Sequence, residues 1–243
     1  MRYLLAIVML FGACGRIGFD PSAESGADAA SVPRLLAYFP FDDDPTDGVD
    51  NHAIGSPNAV CDTTCPALVA GKKGSAYLFN GTTDAIRYPD LPELHTQAGT
   101  MALWVRFDGT PALDQFMVVA SKAFGAGQEN TWELFLATSA VLNFLGGGDS
   151  NTKAAYGVTL WTAANGTWVH VAVTWGSNVR LYIGGVRVDE VGNPGRAYDS
   201  GDVYLGSDFD GGALTAQLVG ALDEVYLFST ELTAAEIAML ATP

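Results

Sequence analysis

Between Leu35 and Phe228 the chain is cut into short apolar runs by glycine, asparagine and aspartate turn signals. The runs are Leu35–Phe41, Ala76–Phe79, Ala85–Tyr88, Thr100–Phe107, Phe116–Ser121, Thr131–Ala137, Val141–Leu145, Trp168–Trp175, Val179–Ile183, Val186–Val191, Asp202–Leu205 and Leu222–Phe228. Asn80-Gly81, Gly146-Gly147-Gly148, Gly176-Ser177-Asn178 and Asn193-Pro194-Gly195 separate them, and Gly184-Gly185 is a two-residue hairpin signal. Many short strands at this spacing predict an antiparallel sandwich or barrel. One helix is expected at the end, where Thr233-Ala234-Ala235-Glu236 forms a capping box ahead of Ile237, Met239 and Leu240. It is too short to stand alone and must pack on the sheets.

The last of these runs, Gly220–Phe228, carries two carboxylates among apolar neighbours. Strict alternation puts Leu222, Glu224, Tyr226 and Phe228 on one side and Asp223, Val225 and Leu227 on the other. A buried Asp is costly unless hydrogen bonds or a cation meet its charge. What Asp223 pairs with is therefore the central question about the chain.

The N-terminus reads as an export signal. Arg2 supplies a positive start, Leu4 to Phe11 an apolar segment too short to span a bilayer, and Gly12-Ala13 the small residues before Cys14. Leu10-Phe11-Gly12-Ala13-Cys14 resembles a bacterial lipobox, with Phe11 where Leu is usual. That resemblance implies a signal peptide of residues 1–13 and lipid on Cys14; the alternative is ordinary secretion with Cys14 free. Residues 14–33 then form a small-residue tether, and residues 34–243 one domain. Gly15 after the Cys implies an outer-membrane destination. Three cysteines are an awkward number for an exported chain, but lipid on Cys14 leaves Cys61 and Cys65 as one pair. Their spacing suits a disulfide-closed loop; two Cys without a nearby His cannot complete a zinc shell, and the spacing is not that of a redox pair.

Acidic residues outnumber Lys and Arg by 27 to 12, a net charge of -15. Such a surface repels nucleic acid and is compatible with cation binding or with solubility alone.

Several stretches, taken in order, resemble laminin-G-like domains of the concanavalin A-like superfamily. They are Ala37-Tyr38-Phe39-Pro40-Phe41-Asp42-Asp43, Gly74–Gly81 with its Phe79-Asn80-Gly81, Thr100–Val105 around Trp104, and Trp168-Val169-His170-Val171-Ala172-Val173-Thr174-Trp175. Val179–Gly185 follows, with Gly184 where Asp or Asn is usual, then Leu222–Phe228 with Leu232–Ile237. The resemblance implies a jelly-roll sandwich of two antiparallel sheets with one short C-terminal helix. It implies no single activity, because sugar-binding modules, adhesion domains and glycoside hydrolases share the fold. It also implies a structural Ca²⁺ held by Asp42, Asn80, the Gly81 carbonyl and Asp223. The alternative is a solvated acidic loop, with Asp223 accepting backbone hydrogen bonds.

Catalytic signals are weak. Glu129, Glu133, Glu190 and Glu231 stand isolated in sequence, and Asp223 and Glu224 are expected on opposite faces. His52, His95 and His170 are scattered, and His170 within its strand reads as a satisfied core histidine. Trp104, Trp168 and Trp175 read as core, while Trp132, Tyr156 and Trp161 near loops are candidate sugar-stacking residues. The expectation is a non-catalytic envelope module that recognises glycan or extracellular protein, touching the membrane only through its lipid. A glycoside hydrolase and a purely structural lipoprotein are the alternatives.

Overall fold

The computed structural model describes residues 35–112, 115–124, 129–138, 141–146, 153–157, 167–193 and 195–242. The expected signal peptide, Cys14, the tether and Trp161 lie outside these residues.

The strands in chain order are β1 (Leu35–Phe39), β2 (Val60–Cys61), β3 (Ala67–Ala70), β4 (Ser75–Asn80), β5 (Ile86–Tyr88), β6 (Gly99–Phe107), β7 (Phe116–Phe124), β8 (Glu129–Ala137) and β9 (Val141–Gly146). They continue with β10 (Lys153–Gly157), β11 (Trp168–Trp175), β12 (Asn178–Ile183), β13 (Val186–Gly192), β14 (Val203–Leu205), β15 (Asp208–Asp210), β16 (Ala213–Thr215) and β17 (Val219–Phe228). Besides the 3-10 turns Pro45–Asp47 and Pro92–Leu94, one α-helix among the described residues, α1 (Ala234–Leu240), follows. Its predicted capping box is present, with the Thr233 side chain accepting from Glu236 N and the Glu236 carboxylate accepting from Thr233 N.

Two antiparallel sheets form the sandwich. One is eight-stranded, in the order β13-β12-β11-β6-β17-β4-β3, with β1 paired to β17 as well. The other is seven-stranded, β10-β9-β8-β7-β14-β5-β2. Alternation sends Leu103, Val105, Val171, Val173 and Leu222 inward to meet Val119, Leu134, Phe144 and Leu205 from the other sheet. The outer face of the eight-stranded sheet carries a second, smaller cluster. There Ala102, Ala172, Tyr182 and Phe228 are covered by Leu232 and by Ile237 and Leu240 of α1.

β17 is the organising strand. It pairs with β6 along one edge. Its other edge is shared, β4 taking Val219–Leu222 and β1 taking Val225–Phe228. The handover falls at Asp223-Glu224. Register against β6 slips by one residue there, from Asp223 opposite Trp104 to Tyr226 opposite Ala102, and Glu224 takes a left-handed φ of 51°. This is a β-bulge, and it corrects the alternation read from the sequence. Leu222, Val225 and Leu227 face the core, whereas Tyr226 and Phe228 face α1. The bulge resets the phase between Leu222 and Val225.

Candidate functional site

The bulge aims both acids at one object, the β3–β4 hairpin turn. Asp223 Oδ2 accepts from the backbone N–H of Lys72 at 2.7 Å and of Lys73 at 2.9 Å. Lys73 Nζ stands 3.4 Å from Glu224 Oε2. The hydroxyls of Tyr38 and Tyr226, whose rings stack at 4.3 Å, donate to the two Glu224 oxygens at 2.9 and 2.8 Å. The expected opposition of Asp223 and Glu224 thus fails. From the other side Asp42 Oδ1 accepts from Ser75 N at 2.9 Å. Gly74 is required here: its φ is +54°, and a Cβ would stand 2.1 Å from Asp42 Oδ1.

Of the four residues that resemblance assigns to calcium, the structure joins Asp42 and Asp223 at this turn only. Asn80 and Gly81 sit at the far end of the six-residue β4, roughly 16 Å along the strand. There Asn80 lies opposite Val219, four positions before Asp223. Its Oδ1 accepts from Thr82 N and Thr83 N, at 2.8 and 2.9 Å. Among the described residues no three His, Cys, Asp or Glu side chains converge on a metal ion. The four do not fit one calcium cage. Asp223 meets turn N–H groups instead, the alternative left open by the sequence.

Asp223 is fully buried, and its carboxyl is pushed up to about 7, by burial first and then by neighbouring Glu224, against the lowering effect of the turn N–H groups. Its Oδ1 has no partner. It ends a row of cross-strand neighbours, His170, Trp104 and Asp223, on β11, β6 and β17. His170 Nδ1 and Trp104 Nε1 are likewise buried without partners. The imidazole meets the indole edge-on at 5.4 Å, and burial, then Lys73, lowers its pKa to about 4. Lys72 Nζ covers the Trp104 ring at 4.6 Å. His170 and Trp104 are therefore buried as the sequence implied, but on the outer face of the sheet, and His170 is not satisfied at Nδ1. Trp168 is half-buried on the same face, beneath the Arg106 guanidinium at 5.4 Å. Trp175 is core as expected, and so is Trp132, 2 % exposed and stacked with Phe144, which removes it as a sugar platform. Tyr156 lies on β10, where only the backbone is described.

Asn80 instead lines an open groove of about 630 Å³ at the β4 and β17 ends. Its floor is apolar, from Ala67, Leu78, Phe79 and Val219. One wall is the predicted disulfide loop, closed between Cys61 and Cys65 and pinned by Thr64 Oγ1 donating to Asp84 Oδ1 at 2.5 Å. Asp84 Oδ2 also accepts from Asn80 N at 2.9 Å. The opposite wall is Asp108, held bidentately by Arg106 at 2.8 and 2.7 Å.

A second cluster lies on the seven-stranded sheet. Glu133 in β8 is 5 % exposed, and its carboxyl is pushed up to about 8 by burial and then by Asp208 and Asp210. Asn130 Nδ2 donates to Asp208 Oδ2 at 3.0 Å. Glu133 Oε1, Asn130 Oδ1 and Asp210 Oδ1 are buried without partners. The sequence hid this group because Glu133 lies some 75 residues from the β15–β16 hairpin that brings the aspartates to it.

Residues 80–238 match a family model, Laminin_G_3, described as the concanavalin A-like lectin/glucanases superfamily. The sequence matches no curated protein. Among solved structures, domain 4 of AbnA, a GH43 extracellular arabinanase from Geobacillus stearothermophilus, in complex with arabinotriose, is similar over 86 % of this chain and 99 % of that one, at 21 % identity and a TM-score of 0.63. The binding domain of botulinum neurotoxin DC in complex with SialylT gives 11 % identity and a TM-score of 0.65 over 86 % of this chain and 51 % of that one. The binding domain of Paraclostridial Mosquitocidal Protein 1 gives 14 % and 0.67 over 86 % and 52 %. The chain thus spans about half the length of the toxin domains, and at these identities the likeness shows the fold.

Proposed function

Because the chain belongs to the concanavalin A-like lectin/glucanase superfamily, a fold that serves recognition and catalysis alike, we propose that it is a non-catalytic recognition module for glycan or extracellular protein. The groove beside Asn80 supports this reading. Its volume of about 630 Å³ suits a ligand site. Both of its carboxylates are engaged, Asp84 by Thr64 and Asn80, Asp108 by Arg106, which fixes them as parts of its walls. The chain enters β1 beside Phe228, and the groove opens at the other end of the 10-residue β17, roughly 30 Å away. A lipid on Cys14, with residues 14–33 as a tether, would hold such a module at the outer membrane. Calcium is not part of the proposal.

The hydrolase reading has one observation in its favour, the paired acids Glu133, Asp208 and Asp210, since a glycosidase needs one carboxyl with a raised pKa near a second. Glu133 and Asp208 are only 5 % and 2 % exposed, however, and only Asp210 of the three is half-buried.

The test is a glycan array and an envelope-protein pull-down with the full chain, together with a reducing-sugar assay on any glycan bound. Binding without sugar release supports the module. Turnover abolished by Glu133→Gln would replace it with the enzyme, and no binding to either class would favour a purely structural role.

A further inference from the structure

The edges of the eight-stranded sheet are protected unequally. β13, at one end, carries Arg187, Asp189 and Glu190 and is bulged against β12. The outer edge of β1 is covered, Tyr38 N donating to Asn51 Oδ1 at 2.9 Å and Tyr38 O accepting from His52 N at 2.8 Å. Charges, bulges and covering segments are the usual devices against unwanted strand pairing. β3, at the other end, has none of them among the described residues. It reads Ala67-Leu68-Val69-Ala70, without a charge, and its sheet partner is β4 alone. Gly71 N donates to Gly74 O at 3.0 Å. Antiparallel alternation then makes Val69–Ala76 and Ala67–Leu78 the hydrogen-bonded pairs, and turns the N–H and C=O of Leu68 and Ala70 outward. Leu68 is 43 % exposed.

We propose that β3 receives an extended segment of a partner protein by strand addition, and that this segment is apolar at alternate positions and carries net positive charge. The inference rests on the recognition reading and narrows its ligand to protein. The groove adjoins β3 at Ala67, and the residues that line it include no Trp or Tyr on which a sugar ring could stack and no Lys, Arg or His. Its lining is apolar at Ala67, Leu78, Phe79 and Val219, and of its two carboxylates Asp84 is 4 % exposed while Asp108 is exposed and paired with Arg106. Added-strand side chains on the outer face beside Ala67 would lie toward this apolar lining and the exposed Asp108, giving the side-chain selection that accompanies main-chain pairing. The net charge of -15 opposes a second copy of this chain and favours a basic segment.

The probe is a fluorescent eight-residue peptide of alternating Val and Lys, compared with its Val–Glu counterpart. The expected result is saturable binding of the Val–Lys peptide to the full chain, slowed amide exchange at Leu68 and Ala70, and about tenfold weaker binding of the Val–Glu peptide, a gap that narrows in high salt. Leu68→Pro removes an outward-facing N–H that β4 does not use and should abolish binding, whereas Leu68→Ala, which trims the 43 % exposed side chain but keeps that N–H, should retain it. Equal binding of both peptides, binding that survives Leu68→Pro, or dimerisation through β3 in light scattering would each overturn the proposal. A glycan-array or pull-down signal with no peptide binding would overturn it while leaving the recognition reading intact; silence in all three would remove both.

Discussion

Asp223 holds the backbone N–H of Lys73 at 2.9 Å, while the Lys73 ammonium reaches the next residue of the same strand, Glu224, at 3.4 Å. One turn residue thus bridges both acids of the closing strand, at the point where β17 passes from β4 to β1. The bulge makes this possible, because on a regular strand the two side chains would point to opposite faces.

Asp223→Ala leaves two turn N–H groups without their acceptor. The expected loss is about 2–4 kcal/mol in chemical denaturation at neutral pH. Asp223→Asn keeps an oxygen for both donors and removes the buried charge, so its loss should be under about 1 kcal/mol. Similar losses from the two variants would contradict the clamp.

Stability should fall as pH rises through neutrality. Asp223 and Glu133 have folded pKa values of about 7 and 8 against 3.8 and 4.5 unfolded. Their contribution is therefore complete below the unfolded values and lost as pH passes the folded ones. His170 works oppositely: with about 4 folded and 6.5 unfolded, its contribution is present above 6.5 and lost as pH falls toward 4. The three partly cancel in acid, and the carboxyls dominate above pH 6.5. Denaturation at pH 6.5 and 8.5 should differ by about 2–3 kcal/mol, and Asp223→Asn with Glu133→Gln should flatten the profile.

Removing metal should change nothing in the sandwich. Melting curves in EDTA and in excess Ca²⁺ are expected to superimpose, because the charge of Asp223 is met by the turn N–H groups of Lys72 and Lys73. A calcium-dependent rise in Tm that Asp223→Asn abolishes would restore the ion to this strand.

Sequence pattern was a good guide wherever side chains alternate without interruption. The runs around Trp104, Trp168–Trp175 and Val179–Val191 appear as β6, β11, β12 and β13, and Gly184-Gly185 turns the last pair. The Cys61–Cys65 disulfide is likewise present. The reading broke at Asp223-Glu224, because a one-residue bulge leaves no mark in a pattern of period two. β3 escaped notice because Ala67-Leu68-Val69-Ala70 has weak strand propensity and gains its partner from the Lys72-Lys73 turn. Trp104, Trp168 and Trp175 were read as core, yet Trp104 and Trp168 face outward beneath Lys72 and Arg106. Long aliphatic stems covering an aromatic ring are a tertiary arrangement, and spacing does not encode it.

The most direct test of the groove as the ligand surface is to fill it. Val219→Trp places a large ring on its floor at a residue already 37 % exposed. Whichever glycan or protein binds the full chain should be lost or weakened by about tenfold or more in this variant, with the melting temperature unchanged. Undiminished binding by a folded Val219→Trp protein would contradict the assignment of recognition to this groove.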